Sequence, residues 1–107
     1  MAKKCSVGKI KIKGKVINVE RHDPICGGYG DNILSIKTWI DGRMREITFY
    51  HLIGKKGWGT EVYAGPNYIV GARGKSYSRN YKGWKNLPDK YKDIAQKLKN
   101  LHNKTYK

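Results

Sequence analysis

Long apolar runs are missing from this 107-residue chain, and no stretch could span a membrane as a helix. The opening, MAKKCSVGKIKIKGK, lacks the apolar core of a signal peptide. The expectation is a cytoplasmic protein (host cytoplasm if viral) with no membrane partner. Cysteine is scarce: Cys5 and Cys26 lie in separate segments and form no CxxC pair. With three scattered histidines they make no zinc-ligand pattern, so free thiols and no metal or other cofactor are expected. Carboxylates are scarce as well, 8 against 23 Lys and Arg. None are paired for metal-assisted hydrolysis, and no nucleophile motif is present. Gly27-Gly28-Tyr29-Gly30 lacks the Gly-Lys-Ser/Thr ending of a phosphate loop. These absences argue against an enzyme. The catalytic alternative is a small basic ribonuclease-like effector using His22-Asp23 and His51.

What the chain has in abundance is positive charge, glycine and tyrosine. The net charge of +15 exceeds what solubility needs and attracts polyanions, nucleic acid first. The 13 glycines and eight tyrosines point to strands and turns, and the length to a single domain. Residues 1–8 read as a basic arm, 9–87 as the folded β unit, and 88–107 as a helix with a basic tail. In KIKIKGKVINV, Ile10, Ile12 and Val16 alternate with lysines, and then the phase slips to Ile17 and Val19. That pattern predicts one long strand, bent near Gly14. RHDPICGGYGD is a loop.

NILSIKTWI-DG-RMREITFYHLI reads as a hairpin around Asp41-Gly42, a pair that favours a two-residue turn. The turn fixes the register, with Ile36 opposite Ile47 and Leu34 opposite Phe49 on an aliphatic face shared with Ile40. The other face pairs Lys37 with Glu46, Trp39 with Met44, Ser35 with Thr48, and Ile33 with Tyr50. Residues 54–66 read as a polar connection in which Trp58 serves either as a core plug or as a stacking ring. In NYIVGARGKSYSRNY, Tyr68, Val70 and Ala72 fall on one side. Ile69, Arg73, Lys75, Tyr77 and Arg79 fall on the other. WKNL predicts a short last strand. Pro88-Asp89 then opens a helix whose Tyr91, Ile94, Ala95, Leu98 and Leu101 form one apolar stripe, with Asp89 as its cap.

Single-strand binders need cations along the phosphates and rings against unpaired bases. The candidates for stacking are Trp39, Tyr50, Tyr77, Tyr81 and Trp84, and those for phosphate contact are Lys37, Arg73, Lys75 and Arg79. Each has a plainer reading: cross-strand packing for the tyrosines, burial for Trp84, simple solvation for the cations. Lys9, Lys11, Lys13 and Lys15 form a charged face that is either the wet side of the sheet or an extension of the phosphate track. Five neutralised phosphates would give a log–log salt slope of about −3.5.

The segment AGPNYIVGARGKSYSRNYKGWKNL resembles the fourth and fifth strands of OB-fold single-stranded DNA-binding proteins. There an apolar strand with glycine runs into a basic hairpin, matched by Ile69, Val70, Gly71, Gly74, Arg79 and Tyr81. KIKIKGKVINVERHDP is similar to that family's first strand, and REITFYHLIGKK falls at its third. The resemblance implies a five-stranded Greek-key OB-fold barrel with a C-terminal α-helix; an SH3-like barrel is the competitor. It also implies low-specificity binding of single-stranded nucleic acid, DNA ahead of RNA, in a role such as DNA replication. The basic ending HNKTYK stands where housekeeping members carry an acidic recruiting tail, so a compact phage-like, plasmid or accessory type is implied. An exposed fifth-strand edge would leave room for a homodimer. The alternatives are an RNA- or ribosome-associated module, the ribonuclease-like effector, and a protein–protein adaptor.

Overall fold

The computed structural model describes residues 6–23, 26, 32–51, 58–74 and 87–106. They form one antiparallel sheet of six strands in chain order and one C-terminal helix. The strands are β1 (Ser6–Ile12), β2 (Lys15–His22), β3 (Asn32–Ile40), β4 (Arg43–His51), β5 (Trp58–Ala64) and β6 (Asn67–Gly74), and α1 spans Asp89–Thr105.

Two expectations about strands are corrected. The segment read as one bent strand is the hairpin β1–β2. Lys13 and Gly14 both take positive φ (48° and 81°), which reverses the chain in two residues. A two-residue turn puts Ile12 opposite Lys15, so core positions change from even to odd numbers. That change of parity is the phase slip seen in the sequence. The supposed connection at 54–66 contains β5. Its Trp58, Thr60 and Val62 point inward, and its glycine content reflects a close approach described below. The sheet therefore has six strands rather than five. Among the described residues it is an open meander, in which β1 pairs with β2 alone, rather than a Greek-key barrel. The expected last strand at WKNL lies outside the described residues except for Leu87, which is buried.

The β3–β4 register is the expected one throughout, from Asn32 opposite His51 to Ile40 opposite Arg43. One face of the sheet buries Leu34, Ile36, Ile47, Phe49 and Val62 against α1, which packs mainly on β4 and also on β1 and β3. The helix buries Tyr91, Ile94, Ala95 and Leu98, as its stripe requires, and also His102. Pro88 rather than Asp89 occupies the cap position, and no side chain caps the helix. Asp89 lies in the first turn, where it pairs with Lys92 at 3.5 Å. Trp58 is a core residue, stacked on Phe49 with ring centroids 6.1 Å apart.

The helix runs the length of the sheet and is tied at both ends. Near its start, Lys90 Nζ meets Asp41 at 2.7 Å. Near its end, Tyr106 donates its hydroxyl to Asp23 at 2.6 Å, and Arg21 reaches the same carboxylate at 2.6 Å. The Cys26 N–H adds a third donor at 3.1 Å. Cys26 is disulfide-bonded, not the free thiol expected. Spacing along the chain does not report distance in space, which is why the expectation failed; Cys5 lies outside the described residues. Among the described residues, no helix is long and apolar enough to cross a membrane.

Candidate nucleic-acid interface

The sheet face away from α1 is built by alternation, interrupted by register shifts in β1 and β6, and its contents can be read strand by strand from the register. The turns at 13–14, 41–42 and 65–66 all lie at one end of the meander. Closest to that end, Lys11 faces Val16 and Trp39 faces Met44. The next level holds Lys9 opposite Asn18, Lys37 opposite Glu46, and Tyr63 opposite Tyr68. Farther down come Glu20 opposite Ser35, then Thr48 opposite Glu61, which faces Gly71. The far level carries His22, Ile33, Tyr50, Gly59 and the backbone of Arg73.

Trp39 stands 62% exposed on this face, two residues from the Asp41-Gly42 turn. Lys37 is exposed on the same strand. Tyr50 is on the same face but at its other end. It sits opposite Ile33, six residues from Trp39, a separation of about 20 Å along β3. The tip of the Tyr50 ring lies against Gly59, where any Cβ would collide with it. Glycine near the start of β5 is thus explained by the ring that covers it. Arg73 lies in β6 opposite Gly59, and its side chain is outside the described residues, as are Lys75, Tyr77, Arg79, Tyr81 and Trp84. The described residues on either side of that basic stretch, Gly74 and Leu87, lie at opposite ends of the sheet.

Sequence reasoning missed Tyr68. Alternation assigned it to the Val70 and Ala72 side, but a register shift at Val62/Tyr63 turns it onto the outer face. There it is 58% exposed and meets the Tyr63 ring edge-on at 6.0 Å. Its hydroxyl lies 2.8 Å from where a Cβ of Gly71 would be. A bulge beside a mid-strand glycine is the signal that could have found it. Tyr63 is fixed by donating its hydroxyl to Glu61 at 2.6 Å. That bond, with some burial, pushes its phenol pKa up to about 12.

The outer face is not uniformly cationic. Glu20, Glu46 and Glu61 occupy its middle, while the exposed Lys9 and Lys11 stand on it in β1, with the exposed Lys13 in the turn and the exposed Lys15, opposite Ile12, on the other side of the hairpin. None of these four ammonium groups is ion-paired among the described residues. The carboxylates nearest the turns are occupied, since Asp41 is held by Lys90, and Asp93 by Lys97 at 3.3 Å. The potential is therefore most positive at the turn end of β1, β2 and β3.

Among the described residues, His22 is not set in a hydrolytic relay. The Ser35 hydroxyl (2.9 Å) and the Glu20 carboxylate (3.9 Å) both approach the same His22 nitrogen, Nε2. A relay needs the acid and the nucleophile on opposite ring nitrogens. The His51 side chain lies outside the described residues. Among the described residues, no group of His, Cys, Asp and Glu is placed to hold a metal ion. No family model matches the chain, and neither a curated protein nor a solved structure matches it.

Proposed function

We propose that this protein binds single-stranded nucleic acid, DNA ahead of RNA, across the turn end of its outer sheet face. One observation carries the reading. The large apolar side chains exposed among the described residues are Val16, Trp39, Met44, Tyr68 and Ile69. Every one of them lies within three residues of a turn at that end, beside Lys11, Lys13, Lys15 and Lys37. Trp39 and Tyr68 stack on bases about three strands, or about 14 Å, apart. The lysines follow the phosphates between and beyond them, and no cofactor is needed. Arg73, Lys75, Tyr77, Arg79, Tyr81 and Trp84 extend the track in this reading. An open sheet serves as the platform, so the OB-type barrel and the kinship that the sequence resemblance implies are not required.

The test is quenching of tryptophan fluorescence by a dT oligomer, titrated at several salt concentrations. Quenching with a log–log salt slope of about −3.5, and its loss in Trp39→Ala, supports the proposal. Absence of binding at low salt overturns it. Val16, Met44 and Ile69 favour one second reading, a protein partner that covers the apolar patch and answers the lysines with carboxylates. That reading predicts no quenching by oligonucleotides.

A further inference from the structure

β2 and β3 are neighbours in the sheet, yet they pair only where Glu20, Arg21 and His22 meet Ser35, Leu34 and Ile33. From there toward the turns the two strands part. Lys15 to Val19 pair with β1 alone, and Ile36 to Ile40 with β4 alone. Two strand edges thus face each other across a wedge that closes at Glu20 and Ser35. At its apex is a cavity of about 210 Å³ lined by Ile17, Asn18, Glu20, Ser35, Ile36 and Lys37. The isoleucines give it apolar walls. Asn18 supplies both a donor and an acceptor, Glu20 acceptors and Lys37 donors. Lys9 stands opposite Asn18, and Trp39 lies two residues beyond Lys37 on the same strand.

The shape decides what enters. A peptide strand needs parallel edges a constant distance apart, and a wedge offers them nowhere along its length. A single planar ring bearing hydrogen-bonding groups fits edge-on between two strand edges. We propose that the wedge receives one unstacked nucleobase from the strand that crosses the turn end, and that it favours a base with an exocyclic amine over thymine or uracil. This rests on the single-strand reading and adds selectivity at one position. The Glu20 carboxylate accepts the amine of cytosine or adenine, as carboxylates do in base recognition. The Asn18 amide reads the adjoining ring nitrogen or oxygen. Thymine would place a carbonyl against the Glu20 oxygens and leave both without a partner.

The experiment compares a dT 15-mer with the same oligomer carrying one central cytosine, read by Trp39 quenching in wild type, Glu20→Ala and Asn18→Ala. Glu20 and Asn18 are exposed strand residues, and unchanged melting temperatures would show that both variants fold. The readout is the ratio of the two affinities, because removing a carboxylate raises binding to every oligomer alike. Wild type is expected to prefer the cytosine oligomer about tenfold. The ratio should fall to near one in Glu20→Ala and shrink in Asn18→Ala. A wild-type ratio of one, with both oligomers bound, overturns the base site and leaves the single-strand reading standing. An undiminished ratio in Glu20→Ala overturns it as well. If neither oligomer binds, both proposals fall together.

Discussion

The two ends of the sheet treat their side chains in opposite ways. At the end remote from the turns, polar groups are buried and answered. Asp23 is 1% exposed with three donors on it, and Arg21 lies over the Tyr106 ring at 5.4 Å. His102, also 1% exposed, bonds the Asn32 carbonyl at 3.0 Å and sits edge-on to Phe49. At the turn end, beyond the Lys90–Asp41 pair that holds the start of α1, apolar groups are exposed, and Lys9, Lys11, Lys13 and Lys15 have no ion-pair partner among the described residues. The first end closes the helix onto the sheet. The second leaves unspent exactly the groups a polyanionic ligand could use. The remote end carries the buried polar ties, and the proposed binding falls at the other.

Breaking the closed end should have the largest effect. Asp23→Asn leaves the Arg21 guanidinium, largely desolvated, without its anion, and should cost about 3 kcal/mol in urea unfolding while oligonucleotide affinity per folded molecule stays constant. The pH dependence sharpens the point. Burial alone would raise the Asp23 pKa, but hydrogen bonds from Tyr106, Arg21 and the Cys26 N–H outweigh it and hold the carboxyl below its ordinary range. Folding therefore favours the ionised form. Its contribution is complete above the unfolded pKa of about 4 and is lost as pH falls through the lower folded value. For Tyr106 the direction is reversed. Burial, then the bond to Asp23, pushes its phenol well up, so its contribution is complete below about pH 10 and fades above it. Between those limits the melting temperature should be flat with respect to these two groups. Below pH 4 it should drop more steeply in wild type than in Asp23→Asn.

A smaller loss is expected on the outer face of that same remote end. Gly59→Ala places a methyl group where the Tyr50 ring lies, and should cost about 1–3 kcal/mol, as overpacking does. In the background Tyr50→Ala the same change should be nearly silent. A double-mutant cycle measures that coupling. Additive losses would mean that Tyr50 does not cover Gly59.

How legible all this was depends on how local each signal is. The Asp41-Gly42 hairpin was readable in full because its turn residues are distinctive and switch the buried positions from even numbers (Leu34, Ile36, Ile40) to odd ones (Ile47, Phe49). Lys13-Gly14 makes the same switch, but Lys is an unusual first residue for such a turn, so a reversal looked like a bend. β5 was obscured because Gly59 weakens a strand pattern unless a ring on a neighbouring strand covers it, and Tyr50 is nine residues away. Of the candidate site, alternation located Trp39 and Lys37 on the outer face. The same register puts Tyr50 opposite Ile33, six residues from Trp39, so their separation was legible too; sharing a face does not make them one site. The parting of β2 from β3 and the buried contacts of Asp23 depend on segments distant in sequence, and no local pattern encodes them; the bulge that exposes Tyr68 left only the mid-strand Gly71 as a hint.

The open end is tested by two changes that should leave the fold alone. Trp39→Ala should shift stability by no more than about 0.5 kcal/mol, since the ring is exposed, yet weaken single-strand binding by about 1–3 kcal/mol. Equal losses in stability and binding would place Trp39 with the closed end instead. The smallest effect separates charge from stacking. Lys11→Gln removes one exposed cation beside Val16, on the same face and near the level of Trp39. If Lys11 follows a phosphate, the log–log salt slope should become shallower by about 0.7, the value for one contact on a single strand, while the extent of quenching at saturation stays constant. Lys104→Gln, on the exposed last turn of α1 and far from the turns, should leave the slope unchanged. The contrast matters because a net charge of +15 would bind polyanions diffusely over the whole surface. Diffuse binding makes the two lysines equivalent, whereas a track at the turn end does not.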